Sequence, residues 1–156
     1  MDEYDKAKKI AASYAAFKMY TCSEIFERLC RKGISKDVAD TVVAEFLSAG
    51  ILDDREYANA YVEDGISVGE KGIFRIRQEL LKKGVAKSII DDVCLNREED
   101  TYKALCNYVE YRRLLEQVSS RKELEALKAK LSRRGFSLSE IKRCLEAYEF
   151  DFSEEY

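Results

Sequence analysis

The sequence predicts an all-α protein: three tandem three-helix repeats, helix-turn-helix-like, stacked into an elongated, curved body. Three observations carry this expectation. First, Gly33, Gly84 and Gly135 stand 51 residues apart, in the settings "CRKGI", "LKKGV" and "SRRGF". Glycine after a basic pair is how a helix ends, because glycine enters the left-handed region without strain and cations meet the negative end of the helix dipole. A fixed period near 50 marks an internal repeat. Second, apolar residues travel with the glycines: Ile25, Ile76 and Leu127 lie eight residues before them, Leu29, Leu80 and Leu131 four before, Ile34, Val85 and Phe136 one after, and Val42, Val93 and Cys144 nine after. Third, apolar spacing is helical throughout, and no segment alternates with period two for long enough to form a strand. Units this small cannot bury their apolar faces alone, so neighbours must stack.

The elements follow in order. Repeat one is expected over residues 1–52. Its first helix should run from about Glu3 to Tyr20 on the stripe Ile10, Tyr14 and Phe17. Thr21 and Glu24 make a capping box, in which each side chain satisfies an orphan amide of the next helix. That helix ends at Gly33, and Ser35 caps a third helix on Val38, Val42, Val43 and Phe46 that ends near Gly50. Repeat two, residues 53–100, opens with Asp53 and Glu56 as a cap and Tyr57, Ala58, Tyr61 and Val62 as a stripe. The loop "SVGEKG" leads to a helix whose face is Ile73, Ile76, Leu80 and Leu81, and a third helix surrounds Ile89, Ile90 and Val93. Repeat three, residues 101–150, should start with a longer helix from about Thr101 to Val118. Ser120 with Glu123 then forms another capping box, and Ser137 with Glu140 starts the last helix. Residues 151–156 complete an acidic tail that frays or docks against a basic patch.

Composition narrows the function. The chain has no histidine, proline or tryptophan. Without histidine there is no Ser-His-Asp or Cys-His mechanism, and without a phosphate loop an enzyme is the least favoured class. Five cysteines, with no C-x-x-C pair, argue against zinc and against a disulfide framework; they read as reduced, small buried hydrophobes. No metal or cofactor is expected. With no run of about 18 apolar residues and no basic-then-apolar leader, the expectation is a cytoplasmic protein without a membrane span.

Charge is polarised although its formal sum is only −3. Residues 71–87 carry six bases against one acid, residues 103–134 nine against four, and residues 146–156 five acids and no base. Arg75 and Lys82 fall opposite the apolar face of their helix and should be exposed, whereas Arg77 falls inside that face and should pack its stem. The candidate contacts for a partner or nucleic acid are Lys71, Arg75, Lys82 and Lys83, with the equivalent pairs Arg31 and Lys32, and Arg133 and Arg134. Helix termination competes as a role for these pairs, and both can hold, since the dipole interaction contributes only about 0.3 to 1 kcal/mol per group. Tyr57, Tyr61, Tyr102, Tyr108 and Tyr111 with intervening bases offer a stacking pattern for single strands. Three of them also fit apolar stripes and read as core. A helix-turn-helix DNA-binding transcriptional regulator is the alternative function. It is weakened by Asp37, Asp40, Asp91 and Asp92 on the helices that would face phosphates.

The stretches "LDDREYANAYV" (52–62) and "GIFRIRQELLKKGV" (72–85) resemble the RecX regulatory family, and "TCSEIFERLCRKGI" and "LKAKLSRRGF" fall where that family's other repeats should be. The resemblance implies an all-helical, non-enzymatic modulator that binds the RecA recombinase filament and restrains its strand exchange, ATPase and coprotease functions. It implies a body lying along the filament groove, with the basic middle facing RecA or single-stranded DNA; a monomer is expected. Ile73 stands where family members commonly have proline, which touches only helix initiation. The acidic balance weighs against strong direct DNA affinity.

Overall fold

The computed structural model describes residues 1–68 and 70–152; the last four residues of the expected acidic tail lie outside them. Among the described residues all regular structure is helical, in three triplets. The first is α1 (Glu3–Phe17), α2 (Cys22–Arg31) and α3 (Lys36–Ser48). The second is α4 (Asp54–Ser67), α5 (Ile73–Lys82) and α6 (Lys87–Val93). The third is α7 (Glu98–Tyr111), α8 (Arg121–Arg133) and α9 (Leu138–Glu146), with a 3₁₀ turn, Leu114–Gln117, after α7.

The repeat is visible in the backbone. Gly33, Gly84 and Gly135 have φ of +88°, +82° and +99°. At each, the glycine amide donates to the carbonyl three residues back and the next amide to the carbonyl five back: Ile34 to Leu29 at 3.1 Å, Val85 to Leu80 at 3.1 Å, Phe136 to Leu131 at 3.3 Å. This is one Schellman motif made three times, and it explains the apolar residue after each glycine, which folds back onto the leucine whose carbonyl it uses. All twelve apolar residues copied with the glycines are buried.

Packing divides the chain into two compact units, Met1–Ala60 with Glu79–Val93, and Tyr61–Gln78 with the described residues from Cys94 onward; the middle triplet contributes to both. The first unit has a core of Ala7, Ala11, Ile25, Leu29, Val42 and Phe46 with their neighbours. The second is built on Leu105, Tyr108, Val109, Leu127, Leu131, Phe136 and Ile141.

Four local expectations are corrected. The first helix stops at Phe17, since Lys18 is extended. Tyr20 instead turns inward, its ring edge-on to Tyr14 at 5.7 Å, with the Arg28 guanidinium over both rings. The helix expected to continue to Val118 starts earlier, at Glu98, and ends at Tyr111. Arg113 enters the left-handed region there at φ +50°, and Leu114 is buried in the second core. The Ser120 hydroxyl caps α8 as expected, accepting from the Glu123 amide, but the Glu123 carboxylate accepts from the amide and hydroxyl of Ser119 and not from Ser120. Leu81, assigned to the buried face of α5, is 54% exposed.

The capping box at α2 does more than start a helix. The Glu24 amide donates to the Thr21 hydroxyl at 3.1 Å, the Thr21 amide to the Glu24 carboxylate at 2.9 Å, and the hydroxyl itself to the Lys83 carbonyl at 2.7 Å. Thr21 is fully buried. Thr21→Ala is therefore expected to cost about 2 kcal/mol, from a lost cap and a stranded carbonyl. Thr21→Ser should recover most of it, as read from urea unfolding midpoints.

Candidate partner-binding surface

Apart from Arg31 and Lys32, which end α2, the candidate basic residues lie where the second helix of one repeat begins against the end of the second helix in the next. In the first unit, the start of α2 receives the end of α5: the Thr21 hydroxyl donates to the carbonyl of Lys83, and the Ser23 hydroxyl to that of Gly84 at 3.4 Å. In the second unit, the start of α5 receives the end of α8: the Gly72 amide donates to the Arg134 carbonyl at 2.8 Å and the Phe74 amide to the Gly135 carbonyl at 3.2 Å. Carbonyls orphaned at one helix terminus are thus satisfied by donors at another. At the second junction backbone meets backbone, since a Cβ on Gly72 would lie 2.2 Å from the Gly135 carbonyl carbon, whereas at the first a Cβ on Gly84 would meet the Ser23 side chain.

A shift by the 51-residue period places Gly72 on Thr21 and Arg75 on Glu24. The substitution of charge changes the electrostatics. In the first unit the Glu24 carboxylate is 4.0 Å from the Lys83 ammonium, in the turn where an acid is also favoured by the helix dipole. Tyr57 belongs to the same cluster, its phenol pushed above the ordinary range first by burial and then by Glu24, with Lys83 opposing. In the second unit an arginine occupies the position of that acid.

The expected contact residues are placed as follows. In the second unit, Arg75 is exposed, Lys71 is half-buried with its ammonium 5.4 Å from the Tyr61 ring centroid, and Arg133 is exposed in the last turn of α8. Arg134 is half-buried: its Nε donates to the Glu70 carbonyl at 3.0 Å and its guanidinium lies 4.6 Å from the Tyr108 centroid, so it holds the junction together. The Glu70 carboxylate is taken by Arg112 at 3.1 Å. The Gly72–Gly135 contact thereby brings Lys71, Arg75, Arg133 and Arg134 to one place. In the first unit, Lys82 is exposed while Lys83 is half-buried on Glu24. Arg31 and Lys32 are exposed at the end of α2, Arg31 lying 3.8 Å from Glu27. Arg77 is half-buried, as its place in the apolar arc of α5 implies.

Two residues of this surface were not singled out by sequence. Phe74, beside Arg75, is 55% exposed, which adds an aromatic face to the basic group. Gly72 reads as a loop glycine until it is aligned with Thr21. Of the tyrosines, Tyr108 is buried, Tyr57, Tyr61 and Tyr102 are half-buried, and Tyr111 is exposed. The helices a DNA reader would use carry exposed acids: Asp37 and Asp40 on α3, Asp91 and Asp92 on α6, with Asp92 3.1 Å from Arg55. Among the described residues no helix is long and apolar enough to cross a membrane.

Comparison with known proteins places these features in a family. Residues 7–46 match the model of the first three-helix domain of RecX, and residues 53–93 that of the second. The chain is 32% identical over 147 residues to the regulatory protein RecX of Bacillus cytotoxicus, covering 93% of this chain and 54% of that one. It is 30% identical over 159 residues to the regulatory protein RecX of Lactococcus lactis subsp. lactis, covering 99% and 59%. It therefore spans little more than half the length of these relatives. The fold is that of the crystal structure of RecX from Lactobacillus salivarius, with a TM-score of 0.83 at 22% identity over 94% of this chain and 96% of that one.

Proposed function

Because the chain belongs to the RecX family of regulatory proteins, we propose that it binds the RecA recombinase filament as a monomer in the cytoplasm and inhibits its recombinase, ATPase and coprotease activities without catalysing a reaction itself. The observation that carries this reading is the second-unit junction, where Arg75 replaces the acid that neutralises the equivalent helix start in the first unit. Lys71, Arg133 and the exposed Phe74 ring lie beside it. Such a surface suits carboxylates on RecA and the phosphates and bases of the single strand that the filament holds. The net charge of −3 favours a partner that is largely protein over naked DNA.

The test is RecA's DNA-dependent ATPase with added protein. Inhibition approaching completion at stoichiometric ratios is expected; an unchanged rate together with unchanged filament stability would count against the proposal. The helix-turn-helix alternative requires tight, sequence-selective duplex binding by the isolated protein, for which the acidic faces of α3 and α6 give no support.

A further inference from the structure

We propose that Cys106 and Cys144 form a redox-modification site, a dithiol in the third repeat that hydrogen peroxide converts to an intramolecular disulfide joining α7 to α9. The two sulfur atoms lie 3.8 Å apart. Cys106 is half-buried, whereas Cys144 is buried. Packing does not call for sulfur at Cys144, since the same repeat position holds Val42 and Val93, both buried in their own triplets. Tyr102 lies one turn before Cys106 on α7, and its phenol is pushed above the ordinary range first by the Cys106 thiol and then by burial. The ring of Tyr102 is in turn covered by the Arg143 guanidinium, 3.7 Å from its centroid and 3.1 Å from the Glu99 carboxylate. The half-buried Cys106 is the sulfur of the pair that solvent reaches.

The chemistry divides between the two sulfurs. Cys106, deprotonated, attacks one oxygen of the peroxide; the O–O bond breaks, leaving a sulfenic acid on Cys106 and hydroxide, which takes up the thiol proton as water. The Cys144 sulfur then attacks the sulfenic sulfur, and the hydroxyl departs with the Cys144 proton as a second water. Together the two thiols lose two electrons and two protons, and one peroxide becomes two waters. Burial, followed by the proximity of Cys106, pushes the Cys144 thiol up to about 12, so peroxide meets Cys106 first and Cys144 acts only as the neighbouring sulfur of the second step. The bond requires the sulfurs to approach from 3.8 Å to about 2.05 Å.

The test treats the fully reduced chain with hydrogen peroxide, quenches it, and alkylates in denaturant before peptide mass spectrometry. Alkylatable cysteines should fall from five to three, with one bridged peptide pair containing Cys106 and Cys144 that dithiothreitol releases. Cys106→Ser should leave all four remaining cysteines alkylatable, whereas Cys144→Val, with the residue the other repeats carry there, should give no bridged peptide and leave Cys106 as a sulfenic acid that dithiothreitol returns to the thiol. Five alkylated cysteines, a bridge between a different pair, or over-oxidation of Cys106 with Cys144 still alkylatable would overturn the proposal.

Discussion

Alanine at Gly135 is expected to destabilise the protein by about 3 to 4 kcal/mol, against about 1 to 2 kcal/mol for alanine at Gly33. The two glycines end equivalent helices with nearly the same left-handed backbone, so the conformational cost of a Cβ, roughly 1 to 2 kcal/mol, is common to both. They differ in what the Cβ would meet. At Gly33 nothing lies within 4 Å, whereas at Gly135 the new carbon would sit 2.5 Å from the Arg75 Cβ and 2.5 Å from its amide nitrogen. Relieving that overlap separates α5 from α8 and forfeits the Gly72 and Phe74 hydrogen bonds, adding about 2 kcal/mol. Gly84 should fall between, since its Cβ would meet mainly the Ser23 side chain. Urea unfolding of the three variants checks the order; three equal losses would mean that the junction carries no special weight.

Arg75→Glu is expected to leave folding intact and to weaken binding to RecA filaments at least tenfold. The substitution gives α5 the acid that α2 has at the same repeat position, where a carboxylate favours the helix dipole by about 0.3 to 1 kcal/mol. Binding should fall because a cation beside Phe74 and Lys71 becomes an anion, and the slope of log K against log salt should become shallower. Lys82→Glu in the first unit separates the two basic regions by the size of its effect. A loss of binding that tracked a loss of stability would make the Arg75 effect structural.

What was legible in the sequence was whatever the repeat copies. The twelve apolar positions set by the three glycines are all buried, and the glycines adopt the left-handed conformation that helix ends require. The resemblance of two stretches of the middle repeat to RecX agrees with the family models over residues 7–46 and 53–93. What escaped was set by tertiary contact. Nothing in "NYVEYRRLLEQ" signals that Arg113 takes a positive φ, because the cause is the burial of Leu114 in a core assembled from distant residues. The early end of α1 has the same kind of origin, in the inward turn of Tyr20 beneath Arg28. Leu81 is apolar by type yet exposed, since the helical arc of α5 is filled by Ile76 and Leu80. The basic pairs were recognisable as pairs, but their division was not: in each of two pairs the second residue, Lys83 or Arg134, is held by its own fold, while Lys82 or Arg133 faces solvent.

The most direct test is co-sedimentation of the purified chain with RecA filaments on single-stranded DNA, beside DNA alone and RecA alone. Saturable association with the filament that weakens with salt, far exceeding that with DNA alone, is the expected result. Recovery of the chain entirely in the supernatant at low salt, or equal binding by the wild-type and Arg75→Glu proteins, would contradict a filament-directed basic surface at the second-unit junction.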